Sequence, residues 1–148
     1  ETSWLLDKCL SVLGEEEYTS LIAPITTTMA EQILSIAYKN HSLLNECEKG
    51  KDDSKRIWWV QAESVVGFLN AFQKSGRESY LTAATDIWNY IKTTIVDRRP
   101  GSEWFWCVDE SGKSATRQPI VEPWKCPYHN GRMCFEVMER VGKMKDEN

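Results

Sequence analysis

Long apolar runs are missing from this 148-residue chain. No stretch approaches the roughly 18 consecutive apolar residues that a membrane-spanning helix requires. A surplus of basic residues is missing as well. Eighteen Lys and Arg stand against twenty-two Asp and Glu, for a net charge of -4, and the basic residues are scattered. Nucleic acid and anionic membrane surfaces select clustered Lys and Arg, so neither is expected as a partner. The five cysteines, Cys9, Cys47, Cys107, Cys126 and Cys134, are odd in number and contain no CxxC pair. That is not the dense, even framework of a small secreted scaffold, and reduced thiols in a cytoplasm are the simpler reading. In such a compartment the sequon Asn40-His41-Ser42 has no consequence. Asp7, Glu15, Glu16 and Glu17 interrupt the first twenty residues, where a signal peptide would need an apolar core. An initiating Met and an N-terminal cap are also missing: the chain opens as Glu1-Thr2-Ser3-Trp4-Leu5-Leu6, already inside an apolar helical pattern, and reads as a piece of a longer protein. One domain spanning residues 1–148 is expected, since a chain of this length buries roughly 70% of its unfolded surface.

An internal repeat organises what is present. An offset of about 62 residues brings Glu1 onto Glu63, Gly14 onto Gly76, Glu16 onto Glu78 and Tyr18 onto Tyr80, the mark of a duplicated helical hairpin. Each copy is predicted to hold a first helix (residues 3–13 and 58–74), a Gly-centred turn and a second helix (residues 16–38 and 78–96). Val65, Val66, Phe68, Leu69 and Phe72 recur at helical spacing, as do Leu81, Ala84, Ile87, Trp88 and Ile91, and Gly just past a helix end fits a left-handed cap. Pro24 should start or kink its helix. The connections 39–57 and 97–127 are too long to be idle linkers. The second contains Glu103-Trp104-Phe105-Trp106-Cys107-Val108-Asp109 and then Glu110-Ser111-Gly112-Lys113, a short strand and turn. A last helix, about 129–142, would be the first half of a third hairpin. Repeated hairpins with an unpaired final helix imply part of a toroid of inner and outer helices.

The inner helices of a toroid direct their N-terminal ends at one mouth, where helix dipoles favour oxygen anions. The chemically interesting residues collect at those ends. Glu1 and Trp4 open one inner helix, Trp58, Trp59, Gln61 and Glu63 the next, and His129, Asn130 and Arg132 the third. Histidine is scarce, with only His41 and His129 in the chain, and His129 stands within Trp124-Lys125-Cys126-Pro127-Tyr128-His129-Asn130-Gly131-Arg132 at a helix entrance. His41, beside Lys39 and Asn40, reads as surface. Trp58 and Trp59 are adjacent on a helix and about 100° apart, so they cannot both face the same layer, and one of them lines the mouth. Glu1 and Glu63 each begin an apolar helix, where an unpaired carboxylate would be costly; Glu46, Glu103 and Glu122 carry no such argument. Cys126 and His129 make half of a zinc pattern, but Cys134 is the only other soft ligand nearby and a tetrahedral site needs three or four, so no metal is expected. Aromatic planes with a few carboxylates and no cofactor loop suit a mono- or disaccharide. Glycoside hydrolysis would want two carboxylates flanking an acetal oxygen, whereas isomerisation or epimerisation wants a base beside a C–H acid, and His129 favours the latter.

The segments ETSWLL, WWVQAESVVGFLNAF, EWFWCVDESGK and WKCPYHNGR together resemble the C-terminal part of the N-acylglucosamine 2-epimerase family, nearest its cellobiose 2-epimerase branch. The likeness runs over nearly the whole chain, and WWVQAE and WKCPYHNGR are its most specific pieces. It implies an all-α (α/α)6 barrel, of which this chain supplies the C-terminal part. It also implies that His129 is one of two histidines acting as general acid and base beside the sugar carbonyl, the other lying in a His-x-x-Glu motif whose Glu matches Glu1. By the same resemblance Glu1 and Glu63 hold sugar hydroxyls and tune the histidines, Trp4 and Trp59 line the reducing-end subsite, Trp124 helps hold the substrate, and Trp58, Gln61 and Arg132 assist. No metal or nicotinamide cofactor is implied. Two other readings share these residues: an aldose–ketose isomerase of mannose type, and a noncatalytic helical repeat that binds carbohydrate or protein through its tryptophans. An incomplete toroid would expose apolar helix faces, so self-association is expected.

Overall fold

A computed structural model describes residues 1–114 and 116–146. Five α-helices carry the fold: α1 (Thr2–Leu13), α2 (Glu16–Ile36), α3 (Trp58–Ser75), α4 (Glu78–Tyr90), which ends in a π-helical turn Ile91–Ile95, and α5 (Tyr128–Asp146). The predicted helices therefore form with boundaries within two residues, apart from the π-turn and the later end of α5. The duplicated turn recurs in detail. Gly14 and Gly76 sit at φ 68 and φ 67 and close α1 and α3 by donating their N–H groups to Leu10 O and Phe72 O, a left-handed conformation that costs glycine little. Pro24 lies inside α2, which continues through it.

α1, α3 and α5 stand side by side as one layer; α2 packs on α1 and α3, and α4 packs on α3. This is the expected architecture of two helical hairpins and the first helix of a third. The core gathers on α3, which buries Trp58, Val60, Ala62, Val65, Val66, Phe68, Leu69 and Ala71, and is met by Tyr80, Ala83, Ala84, Ile87, Ile91 and Ile95 from α4 and its π-turn. Polar clamps fasten the far ends of the helices. Asp7 accepts from Thr26 at 2.7 Å, Asn70 at 2.6 Å and Lys74 at 2.9 Å, joining α1, α2 and α3. Arg140 donates to Asn70 and Gln73 at 3.0 and 2.7 Å, joining α5 to α3.

The two long connections fold as small antiparallel sheets. In the first, β1 (Tyr38–Lys39) pairs β2 (Ser42–Leu43), and β3 (Glu46–Glu48) pairs β4 (Lys51–Asp53). The strand predicted near residue 107 forms as β6 (Cys107–Val108), but its partner is β5 (Arg56–Ile57) from the other connection. That pairing matters for the site, because β5 runs directly into α3 and Trp58 N donates to Trp106 O at 3.2 Å. Gln61, expected near the mouth, is buried and clamps the Leu43 backbone with two hydrogen bonds of 2.8 and 2.9 Å. Its role is to hold the first connection against α3. Among the described residues no helix is long and apolar enough to cross a membrane.

Candidate active site

Glu63 is the hub. It lies in the second turn of α3 with its side chain 3% exposed, where an unpaired carboxylate would be unfavourable by several kcal/mol. Three donors from two neighbouring helices satisfy it. His129 Nδ1 of α5 lies 2.7 Å from Oε1, Arg132 Nη2 donates to the same oxygen at 2.6 Å, and Trp4 Nε1 of α1 donates to Oε2 at 3.0 Å. Arg132 continues the network, donating through Nη2 to Glu1 and through Nη1 to the Tyr128 hydroxyl at 2.6 Å. Its guanidinium also stands over the rings of Trp4 and Tyr128, 5.1 and 4.6 Å from their centroids. Burial, the largest influence on Arg132, acts to lower its pKa, and the hydrogen bonds to Glu63 and Glu1 together outweigh it and leave the pKa raised. The centre therefore carries a fixed cation between two carboxylates.

Aromatic rings set the pose of His129. Trp58 meets it edge-on at 5.5 Å and 73°, Trp59 lies tilted at 5.5 Å and 37°, and Tyr128 meets it edge-on at 4.9 Å and 74°. Because a carboxylate only accepts hydrogen bonds, the contact with Glu63 places the proton on Nδ1 of the neutral ring and leaves Nε2 with the lone pair. The adjacent tryptophans divide as their 100° separation requires. Trp58 is 1% exposed and lies beneath the histidine, whereas Trp59 keeps 38% of its surface open. Trp59 is the one that lines the mouth, and a direct substrate contact by Trp58 does not fit its burial. A cavity of about 690 Å³ between α1, α2 and α3 has Glu1, Glu63 and Trp59 in its wall, together with apolar groups such as Ile33, Leu43 and Phe68.

The structure thus brings together Glu1, Trp4, Trp58, Trp59, Glu63, His129 and Arg132 from three helices. It does not bring Trp124 into that group. Trp124 is 85% exposed at the apex of a corner closed by mutual backbone hydrogen bonds between Glu122 and Lys125, and it makes no ring contact or hydrogen bond with the cluster. Tyr128 is the member that sequence reasoning left without a role, although it lies in the very run that singled out His129. His41 is exposed as expected, its Nδ1 2.7 Å from Asp86. Ligand atoms of Glu1, Glu63 and His129 lie within 4.8 Å of one another, a spacing that would suit a cation. Arg132 already serves both carboxylates there, so a metal ion would have to displace it.

Comparison with known proteins points in one direction. The sequence pattern described as N-acylglucosamine 2-epimerase (GlcNAc 2-epimerase) matches residues 10–130. The chain is 47% identical over 139 residues to cellobiose 2-epimerase of Eubacterium cellulosolvens, covering 94% of this chain and 34% of that protein. It is 45% identical over 141 residues to cellobiose 2-epimerase of Dictyoglomus turgidum, covering 95% and 36%. The crystal structure of a sugar epimerase from a ruminal bacterium superposes with a TM-score of 0.91 at 44% identity, over 93% of this chain and 36% of that one. The chain spans about a third of the length of the relatives it matches.

Proposed function

The chain belongs to the N-acylglucosamine 2-epimerase family, and from that membership we propose that it forms the His129-bearing part of a sugar 2-epimerase acting on a reducing-end aldose, with a β-1,4-linked disaccharide such as cellobiose as substrate. The observation that carries the reading is the 2.7 Å contact between His129 Nδ1 and the buried Glu63. It fixes the tautomer and leaves Nε2 as the proton-accepting nitrogen at a mouth lined by Trp59.

After ring opening, the C2 proton is acidic because the resulting carbanion delocalises into the C1 carbonyl. One general base removes it to give a cis-enediolate. After rotation about C2–C3, a general acid returns a proton to the opposite face. Proton count is conserved, and the chemistry calls for neither a metal nor a nicotinamide. His129 is one of the two groups, Glu63 holds its ring and balances the imidazolium that forms, and Arg132 and Glu1 face the sugar oxygens. Trp59 offers apolar surface to the pyranose C–H face, while Trp58 supports the histidine from below. Trp4, only 1% exposed like Trp58, acts by holding Glu63 through its indole N–H and not by lining the reducing-end subsite as the resemblance implied. Two donors here, Trp58 Nε1 and Arg132 Nε, are buried without an acceptor, which supports a centre completed by further polar groups. The second histidine of the resemblance is not among these residues, so the 148-residue chain alone is expected to be inactive. A positioned acid or base is worth on the order of 10² to 10⁴ in rate.

Product analysis tests the reading on the full-length protein that carries this chain. Incubation with cellobiose should yield glucosyl-mannose, the 2-epimer. A ketose product would instead establish an aldose–ketose isomerase, and a sugar that binds without any product would establish a binding module.

A further inference from the structure

Lys125 is the most deeply buried charge in the molecule's second half, with its side chain 0% exposed. Its ammonium donates to Glu103 and to Ile120 O at 2.7 Å, and stands 5.4 Å from the ring centroid of Trp58. Glu103 uses its other carboxylate oxygen to accept from Asn130, the third residue of α5. Glu103 is itself fixed to the end of the second hairpin, because its carbonyl accepts from Asp97 N at 2.9 Å and the next residues pair with Val96 and Ile95. A continuous path therefore runs from the π-turn after α4, through Glu103, to both sides of His129: to the residue after it by way of Asn130, and to the indole beneath it by way of Lys125 and Trp58.

We infer that Glu103 and Lys125 are positioning residues that set the pose of His129, a role resting on the epimerase reading given above. Neither residue touches the Glu1–Glu63–Arg132 network, and each has a structure that exceeds what surface charge needs. A fully buried ammonium is stable only when its partners are in place, and it has one carboxylate, one carbonyl and one indole face. That arrangement locks Trp58 against the imidazole, while the second oxygen of the same carboxylate fixes the rotation of the first turn of α5. Glu63 orients His129 from the front through Nδ1, and the Glu103–Lys125 pair orients it from behind. The charged and titratable groups that face the imidazole are then Glu63 from α3, Glu1 from α1, and Arg132 and Tyr128 from α5, with the neutralised pair one ring further back.

Ring-nitrogen and nuclear Overhauser NMR on the full-length protein that carries this chain tests this directly, with the His129 signals assigned by their loss in His129→Asn and the exposed His41 serving as an internal control. The unaltered protein should show His129 as a single Nδ1–H tautomer with Overhauser contacts to Trp58 and Trp59. Glu103→Ala should lower those contacts by more than half and give mixed tautomers, with His41 unchanged. In the full-length enzyme it should reduce kcat about 10- to 100-fold with KM held within about threefold, and Lys125→Arg should preserve the wild-type ring signals. A folded Glu103→Ala protein whose His129 tautomer and contacts are unchanged would overturn the proposal. If that variant does not fold, Glu103→Gln combined with Lys125→Met, which leaves no buried charge uncompensated, gives the same reading by the same criteria. The ring readout does not depend on the substrate, so failure of the epimerase reading would appear separately, as absent C2 exchange in the unaltered enzyme.

Discussion

The two helical hairpins share one sequence plan and are buried very differently. α3 buries eleven residues, whereas α1 buries Trp4 and Leu10 and α2 buries Thr26 and Ala30. Tyr80 of α4 is 1% exposed while its repeat partner Tyr18 of α2 is 50% exposed. Neighbours account for this contrast, since α3 is flanked by α1, α4 and α5 while α1 and α2 are covered on fewer sides. Both tryptophans that touch His129 belong to the first turn of α3. Periodicity specifies which elements form, and packing partners decide how much each element contributes to stability.

Core truncation should expose the contrast most strongly. Phe68 is buried between Tyr80, stacked at 6.0 Å, and Tyr38, edge-on at 6.3 Å, so Phe68→Ala is expected to cost about 3–5 kcal/mol in urea denaturation. Leu21→Ala, on the exposed face of α2, should stay within about 0.5 kcal/mol. Equal effects would mean that the first hairpin is covered in solution.

The repeated carboxylates should differ in the same sense. Glu63 is buried with three donors, whereas the Glu1 side chain is partly exposed and, among the described residues, accepts from Arg132 alone. Glu63→Ala is therefore expected to cost on the order of 3 kcal/mol, and Glu1→Ala less than about 1 kcal/mol. Reversed costs would place the structural weight of the centre on α1.

The Gly caps should escape the asymmetry. Gly14 and Gly76 share one backbone conformation, and an added Cβ meets nothing within 4 Å at either. Gly14→Ala and Gly76→Ala should each cost about 1 kcal/mol from left-handed strain alone, and a difference above about 0.5 kcal/mol would show that surroundings reach the turns. The exposed apolar residues Val12, Leu13, Tyr18, Leu21 and Ile25 of the first hairpin, with Phe135 and Met138 of α5, should make the isolated chain self-associate. A monodisperse monomer in light scattering at high concentration would count against that.

The elements set by local chemistry were legible in the sequence. Helical spacing placed the helices, the Gly offset placed the turns, and the burial cost of a carboxylate singled out Glu63. What escaped depends on long-range pairing. The β1–β2 hairpin turns through Asn40 and His41, both at positive φ, without the glycine that would announce it. β6 bridges Ser114 across its own turn as the sequence suggested, but its strand partner lies some fifty residues earlier. Glu103 and Lys125 read as ordinary loop charges because nothing local marks the burial of Lys125 against Glu103. Which of Trp58 and Trp59 faces the mouth likewise required the positions of α5 and β5.

The central claim is that His129, held by Glu63, moves a proton at C2 of a sugar. Proton NMR of cellobiose in D2O tests it most directly, with the full-length protein carrying this chain compared against its His129→Asn variant. Deuterium entering C2 of the reducing glucose together with new glucosyl-mannose signals, both lost in the variant, is the expected result. Absence of C2 exchange with cellobiose, mannose and N-acetylglucosamine alike, or exchange that persists in His129→Asn, would contradict the account.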